Sequence, residues 1–156
     1  MSLAKIITTL VRHEVEFIIV GGMAGVLQGA PLHTIDLDIV YARTEDNMGR
    51  LSAALQELAA VFRTDPRRLA PKESHLRSDG HKLLETNQGA LDVLDALDEG
   101  AGFDELLPDS QILEVSGVSV RVLTLQRLVT IKEGLTRPKD QAALLVLRAT
   151  LEERHR

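Results

Sequence analysis

The feature that most constrains this chain is an apolar run that stops at two glycines and is followed by a segment carrying two aspartates. Residues 15–20 (VEFIIV) are largely β-branched or aromatic, and Gly21 and Gly22 end the run abruptly. This pattern is typical of a buried strand that enters a tight turn. Residues 23–28 are mostly small and apolar, which predicts a short helix, and the alternation across residues 35–41 predicts a second strand.

The second strand predicts a cation site. Asp36 and Asp38 are two residues apart, so a regular strand projects both side chains from the same face. Two carboxylates on one face raise each other's proton affinity and cost free energy unless cations neutralise them. Magnesium takes hard oxygen ligands, usually one or two carboxylates together with substrate phosphates. We therefore predict that Asp36 and Asp38 bind Mg²⁺.

The two glycines predict a phosphate site beside these carboxylates. Gly21 and Gly22 follow a strand and precede a helix, so backbone N–H groups and the helix N-terminus can approach phosphate oxygens. The chain has neither GxxxxGK[ST] nor GxGxxG, so neither a P-loop ATPase nor a Rossmann cofactor site is supported. Thr34 either contacts phosphate or caps its own turn, and both interpretations stay open.

A third carboxylate would complete a site for two ions. Such ions lie roughly 3.5–4 Å apart and bridge the nucleotide and the attacking hydroxyl. Asp92, in the strand-like segment GALDVLDAL, is the best candidate. Asp95 lies three residues further on and faces the opposite side of a regular strand, so it ranks second.

These residues resemble the signature of a known superfamily. The match lies in FIIVGGMAGVLQGAPLHTIDLDIVYAR, which resembles the polymerase-β-like nucleotidyltransferases, especially small prokaryotic stand-alone members often linked to toxin–antitoxin systems. That family carries a hydrophobic-Gly-Gly turn, then Thr-x-Asp-x-Asp, then a lone Asp on a neighbouring strand, here Gly21-Gly22, residues 34–38 and Asp92. The resemblance extends more loosely through VRVLTLQRLVTIKEGLTRPKDQAALLVL, which includes a helix bearing Lys132.

The resemblance implies an NTP and two Mg²⁺ ions as ligands. It also implies transfer of a nucleotidyl group to a hydroxyl acceptor, which could be a protein, an RNA 3′ end or a small molecule. The implied catalytic and metal-binding residues are Asp36, Asp38 and Asp92, and the implied nucleotide-binding residues are Gly21, Gly22, Thr34 and Lys132. For Lys132, a solvated helical lysine is the alternative interpretation.

One position departs from the family pattern. Many relatives carry Arg two residues before the Thr, where this chain has Leu32, with His33 beside it. An Arg contact to substrate is therefore lost unless His33 or a distant cation replaces it. This departure motivates a second hypothesis, a catalytically weak member of the fold that acts as an antitoxin or partner-binding module. A third hypothesis is a nucleotide sensor that binds an NTP without chemistry.

The rest of the chain predicts an α/β (α+β mixed) fold, a mixed sheet with helices packed on it, in a single domain over residues 1–156. Ser2 and Thr44 are predicted to begin helices. Residues 63–80 lack a clear period and predict an irregular excursion. The other predicted elements are a hairpin of residues 81–85 and 90–94, a strand following a turn at Gly117, and helices over residues 124–134 and 138–153.

Charged residues outside the site have less distinctive interpretations. We interpret Arg137, Lys139 and Asp140 as the start of the last helix. The only basic concentration could steer a triphosphate or an RNA, or could be a solvated excursion balanced by nearby acids. It consists of Arg63, Arg67, Arg68, Lys72, Arg77 and Lys82, with His75 and His81 among them.

Composition bounds the remaining possibilities. The chain has 156 residues, a net charge of −5 and 44% hydrophobic residues, typical of a compact globular protein and unlike a nucleic-acid-coating one. With no Cys and no Trp, neither a disulfide framework nor a thiolate metal site is available, and the core must be aliphatic. No apolar run approaches the roughly 18–20 residues of a membrane span, and no signal peptide is evident. We therefore expect a cytoplasmic protein.

Overall fold

The fold is an α/β arrangement built on one seven-stranded sheet, seen in a computed structural model that describes residues 2–155. The strands are β1 (Phe17–Val20), β2 (Leu37–Tyr41), β3 (Val61–Phe62), β4 (His81–Thr86), β5 (Gly89–Leu94), β6 (Ser110–Val115) and β7 (Val118–Leu123). The helices are α1 (Leu3–Arg12), α2 (Gly21–Leu27), α3 (Glu45–Glu57), α4 (Glu73–Arg77), α5 (Phe103–Leu106), α6 (Leu125–Glu133) and α7 (Pro138–Arg154).

The sheet is mixed, as predicted. Its strand order is β3-β4-β5-β2-β1-β7-β6. Strand β2 runs parallel to β5 and antiparallel to β1, and β1 runs parallel to β7. The order therefore places the two strands with the predicted metal ligands, β2 and β5, next to each other in the middle of the sheet. Within residues 2–155, no helix is both long and apolar enough to cross a membrane.

Helix starts follow local sequence signals. Ser2 accepts a hydrogen bond from the Lys5 backbone N–H at 3.3 Å, and Thr44 accepts one from the Asn47 N–H at 3.2 Å. These contacts confirm both predicted caps, which satisfy donors that the first helical turn leaves free. Pro138 begins α7, where its missing N–H costs nothing.

The core between the sheet and the helices is aliphatic. Tyr41 is the largest fully buried side chain, and the other large buried ones are leucine and isoleucine. Its hydroxyl donates to the Leu76 carbonyl oxygen at 2.5 Å, so the single tyrosine brings no unsatisfied polar group into the core. Strands β1, β2 and β5 are buried almost throughout.

Several predicted boundaries were wrong. Strand β2 begins at Leu37 rather than at residue 35, and Ile35 is 73% exposed. The alternation continues there, but β1 ends where Val20 pairs with Asp38, so the earlier residues have no such partner on that side. Helix α2 begins at Gly21 itself rather than after the two glycines.

Several further elements were not predicted, among them β3 and α5. Residues 63–80, predicted as an irregular excursion, contain helix α4. Strand β6 covers Ser110–Val115, before the turn at Gly117, where the sequence predicted no strand. Strand β6 is a partly exposed edge strand, so its composition shows no clear apolar face and its pairing with β7 decides its conformation.

Candidate active site

Two neighbouring parallel strands bring the predicted carboxylates together. Asp38 on β2 lies in register with Asp92 on β5, and on the other side of β2 it lies in register with Val20, the last residue of β1. Gly21 follows Val20 directly, so the start of α2 lies against the same carboxylate. Asp36, which precedes β2, adds a third negative charge near Asp38. The sheet therefore places Asp38, Asp92 and the glycine turn together, with Asp36 near Asp38 but outside the strand.

The surroundings of Asp38 disfavour the negative charge of its carboxylate. Its Oδ1 atom is buried and has no hydrogen-bond partner within residues 2–155. Burial raises the pKa of Asp38 to about 7, the charge of Asp92 and a hydrogen bond to it add to the rise, and so does Asp36, while Arg63 opposes it. A buried polar atom without a partner costs free energy, and in native proteins it commonly marks a position completed by an ion or ligand.

Gly21 and Gly22 let the helix start approach these groups. Gly21 has a φ of +67°, and a Cβ atom built there would clash with Asp38 Oδ2. A Cβ at Gly22 would lie 3.1 Å from the Cβ of Thr34. Close packing and backbone conformation therefore require glycine at Gly21, and the space at Gly22 is tight. Their predicted contact with phosphate stays a prediction.

Thr34 serves its own turn in this structure. Its hydroxyl donates to the Asp36 carbonyl oxygen at 3.3 Å, and its side chain packs beside Gly22. The capping interpretation therefore has an observed contact, and the phosphate interpretation has none so far.

Sequence reasoning missed the role of Arg63 because a lone arginine in an irregular segment carries no recognisable pattern. Its guanidinium donates to Asp92 Oδ1 at 2.9 Å and to the Leu84 carbonyl oxygen at 3.0 Å. Its backbone N–H donates to the Leu83 carbonyl oxygen at 2.9 Å. The side chain and the backbone of Arg63 both donate to β4, which fixes the guanidinium beside Asp92. The guanidinium pairs with Oδ1 of Asp92 and not with Oδ2.

We expect Arg63→Met to lower the free energy of unfolding by about 1–2 kcal/mol, because it leaves a half-buried carboxylate and a carbonyl oxygen without their donor. The Asp92 side chain is only 14% exposed, so water replaces the guanidinium poorly. Urea unfolding at pH 7 measures the change. Arg67→Met is the control: Arg67 is 74% exposed and pairs with Asp65 at the surface, so no measurable change is expected there. Equal effects of the two substitutions would contradict a special role for Arg63.

A cavity of about 560 Å³ opens beside the paired aspartates. Asp38, Asp92 and Gly21 line it, together with Lys132 and Arg137 from the C-terminal helical region. Asp98 and Glu99 add two further carboxylates to the lining. The apolar lining is aliphatic and consists of Val20, Leu83, Leu94, Leu97, Leu128, Ile131 and Leu135. The volume suits a small molecule such as a nucleotide.

The start of α7 differs from its predicted role as a plain helix cap. Asp140 is 1% exposed, and its two carboxylate oxygens accept from Lys132 Nζ at 2.7 Å and from Arg137 Nε at 2.6 Å. Hydrogen bonds from Lys132, and then from Arg137, lower the pKa of Asp140. The Arg137 side chain makes no capping hydrogen bond to the helix. Lys132, predicted as a nucleotide contact, is thus held in an ion pair at the cavity rather than free in solvent.

The basic segment defined above does not form one cationic surface. Arg67 pairs with Asp65 at 3.0 Å, and Arg77 pairs with Glu45 at 3.2 Å. Lys82 is buried and donates to main-chain oxygens, and burial lowers its pKa. These three cations are compensated locally, which favours the structural interpretation of this segment over substrate steering.

The residues present fit a divalent cation bound with a substrate. Within residues 2–155, no three acidic or imidazole groups converge closely enough to hold a metal ion by themselves. Mg²⁺, however, usually takes only one or two carboxylates and completes its shell with phosphates and water. Asp38 and Asp92 supply two adjacent carboxylates, and Oδ1 of Asp38 has no hydrogen-bond partner among residues 2–155.

The mixed sheet, the adjacent aspartates of β2 and β5 and the glycine-initiated helix are the features that the sequence predicted for a nucleotidyltransferase. A family model described as aminoglycoside-2''-adenylyltransferase matches residues 2–145, and the chain belongs to that family. A comparison with curated proteins gives no sequence match.

Solved structures share the fold at low sequence identity. A candidate nucleotidyltransferase from Thermotoga maritima has a TM-score of 0.55 at 20% identity, over 97% of this chain and 91% of that one. The antibiotic-resistance factor ANT(2'')-Ia in solution has a TM-score of 0.56 at 15% identity, over 95% and 83% of the two chains. ANT(2'')-Ia in complex with adenylyl-2''-tobramycin has a TM-score of 0.58 at 18% identity, over 94% and 86%.

Proposed function

We propose that this protein transfers an adenylyl group from ATP to a hydroxyl of an aminoglycoside in a Mg²⁺-dependent reaction. The observation that carries the proposal is the buried, unpartnered carboxylate oxygen of Asp38 beside Asp92, at the edge of a cavity large enough for a nucleotide. The family description and the adenylylated tobramycin bound to ANT(2'')-Ia support the choice of donor and acceptor. An ATP donor agrees with our expectation of a cytoplasmic protein.

Each predicted site residue has a part in this proposal. Asp36, Asp38 and Asp92 would hold Mg²⁺, which supplies charge neutralisation at the transferred phosphate and the attacking oxygen. Gly21 and Gly22 let the start of α2 lie close to Asp38 and Thr34, and its backbone N–H groups are the proposed phosphate contacts. Lys132 at the cavity offers an ammonium to the triphosphate. Catalysis by these residues is positioning together with charge stabilisation.

Charge in the cavity favours a cationic acceptor over RNA. Asp98 and Glu99 line the cavity together with Asp38 and Asp92, and the chain as a whole carries a net charge of −5. A polyanionic acceptor would be repelled by these carboxylates, whereas the ammonium groups of an amino sugar are attracted to them. Asp98, whose side chain is 89% exposed, is available to such a ligand.

The test separates binding from turnover. We expect ATP with Mg²⁺ to stabilise the protein by about 2–3 kcal/mol at one hundred times its Kd, and ATP in EDTA to stabilise it much less. Labelled ATP with tobramycin should then yield an adenylylated product, detected by mass spectrometry. The control variant Asp98→Asn should keep the Mg²⁺-dependent stabilisation and weaken tobramycin binding. Intact ATP and unmodified tobramycin after long incubation, with a folded protein, would contradict the proposal.

One observation supports the second hypothesis, that of a catalytically weak member of the fold that binds a partner. Leu32, which stands where relatives often carry Arg, packs so closely on Gly25 that a Cβ built there would lie 2.8 Å from Leu32 Cδ1. Leu32 is therefore part of the packing and supplies no charge to the site. Co-purification of a stoichiometric partner, such as a cognate toxin or antitoxin, with no transfer to any acceptor would favour this alternative.

A further inference from the structure

The cations at the cavity are organised by a carboxylate that the reaction does not use. Asp140 is buried in the first turn of α7, yet its two carboxylate oxygens form ion pairs with Lys132 and Arg137, which line the cavity. A carboxylate needed only to begin a helix would lie at the surface and face backbone N–H groups. This one instead fixes two long side chains whose rotamers would otherwise be free.

Both cations keep unused donors after pairing with Asp140. Arg137 uses only Nε, so its two terminal nitrogens are not engaged by Asp140, and its side chain is 72% exposed. Lys132 donates one of three N–H groups at 2.7 Å and is 26% exposed. The group therefore has a net charge of +1 and presents several donors to the cavity.

The other charged groups of the cavity decide where a polyanion can bind. Apart from His81, the remaining titratable lining residues are carboxylates: Asp38, Asp92, Asp98 and Glu99. Asp98 is also close enough to Arg137 to raise its pKa, although Asp140 is the larger cause. A polyphosphate is repelled by the carboxylates and attracted only where Lys132 and Arg137 lie together.

We propose that Lys132 and Arg137 form a clamp for the polyphosphate of the nucleotide, and that Asp140 is the residue that positions both. The clamp deepens the proposed function by adding Arg137 as a phosphate contact and Asp140 as a positioning residue. It rests on that function only for the identity of the ligand. An arginine held by Nε presents its two terminal nitrogens as a fork that suits phosphate oxygens.

Binding of inorganic tripolyphosphate in EDTA at low ionic strength tests the clamp without metal or acceptor. By isothermal titration calorimetry we expect Arg137→Gln to weaken binding about 10-fold, as for a lost charge-assisted contact. Lys139→Gln is the matched control, because Lys139 is exposed two residues away, does not line the cavity and undergoes the same change of charge. We expect less than about a twofold change in that control. Equal losses in the two variants, or no binding by the wild type, would overturn the clamp.

Asp140→Asn distinguishes positioning from simple charge. Removing the carboxylate raises the net charge of the group from +1 to +2, so electrostatics alone predicts tighter tripolyphosphate binding. We expect weaker binding by about fivefold or more, because neither cation is then held by an ionised partner. Asp140→Glu should restore part of the affinity. Tighter binding by Asp140→Asn would overturn the positioning role, and Arg137→Gln tests the clamp even if this buried substitution impairs folding.

The outcomes separate this inference from the proposed function. If the wild type transfers no adenylyl group but Arg137→Gln still weakens tripolyphosphate binding, only the proposed function is contradicted. Adenylyl transfer by the wild type with no effect of Arg137→Gln on tripolyphosphate would contradict the clamp alone.

Discussion

Asp38→Asn is expected to lower kcat/KM for nucleotidyl transfer by about 10²–10³-fold or more, the cost of removing a major charge-stabilising group from such a site. The amide keeps the shape of the side chain and can donate to the neighbouring Asp92 carboxylate. Loss of activity would therefore report loss of the negative charge rather than loss of packing. Transfer from labelled ATP, measured at saturating Mg²⁺, gives the value, and full Mg²⁺-dependent activity in this variant would exclude Asp38 from the metal site.

The same substitution is expected to stabilise the protein above pH 7 when no metal is present. The pKa of Asp38 is raised from 3.8 to about 7 in the folded protein, so the folded state binds its proton more tightly than the unfolded state does. Wild-type stability therefore falls as the pH rises from about 4 to about 7, and the whole penalty remains above pH 7. The amide introduced by Asp38→Asn does not ionise, so this variant does not lose stability as the pH rises through this range.

We expect Asp38→Asn to raise the free energy of unfolding by about 1–2 kcal/mol at pH 8 in EDTA, with a smaller gain at pH 5. Urea unfolding at the two pH values measures the difference. Asp98→Asn is the control, because Asp98 also lines the cavity but its side chain is 89% exposed. Destabilisation of Asp38→Asn at pH 8 would show that the carboxylate has a stabilising partner in the metal-free protein.

Gly21→Ala is expected to lower the free energy of unfolding by about 2–3 kcal/mol and to abolish nucleotide binding at the site. Its φ of +67° is unfavourable for alanine, and the added methyl group would collide with Asp38 Oδ2. Gly29→Ala is the matched control, since Gly29 has a φ of +98° but no atom within 4 Å of an added Cβ. That control isolates the backbone cost, which we expect to be about 1 kcal/mol.

A double variant identifies the collision as the cause. Combining Gly21→Ala with Asp38→Ala removes the carboxylate that the methyl group would meet, so the second substitution should recover part of the lost stability. Additive effects would show that the damage comes from the backbone of Gly21 alone. Chemical denaturation of the two single variants and the double variant supplies the full cycle.

Much of the fold was predictable because its signals are local. Ser2 and Thr44 cap their helices because a side-chain oxygen reaches an N–H three residues away, a contact written in consecutive residues. The buried strand over residues 17–20 and the hairpin after residue 81 follow from apolar runs and a turn. The predicted start of β2 at residue 35 was wrong, because the alternation of apolar and polar residues cannot show where a partner strand ends.

The candidate site divides in the same way. Asp36, Asp38, Asp92 and the glycine pair could be proposed from residue type and from their positions in predicted strands and a turn, although Asp36 lies outside β2 in the structure. The positions of Arg63 and Asp140 were not recognisable, because each acts through a residue distant in sequence or through burial that spacing does not reveal. Arg63 meets Asp92 across 29 residues.

The sequence by itself therefore predicted most of the strands and longer helices, the caps at Ser2 and Thr44, and the residues proposed for a phosphate and metal site. The tertiary structure alone decided the order of strands in the sheet, which sets Asp38 beside Asp92, and the burial that raises the pKa of Asp38. It also decided that Lys132 and Arg137 share one buried carboxylate at the cavity. The physical reason is that electrostatic interactions and desolvation depend on distance and burial in space, and neither quantity is a property of residues adjacent in the chain.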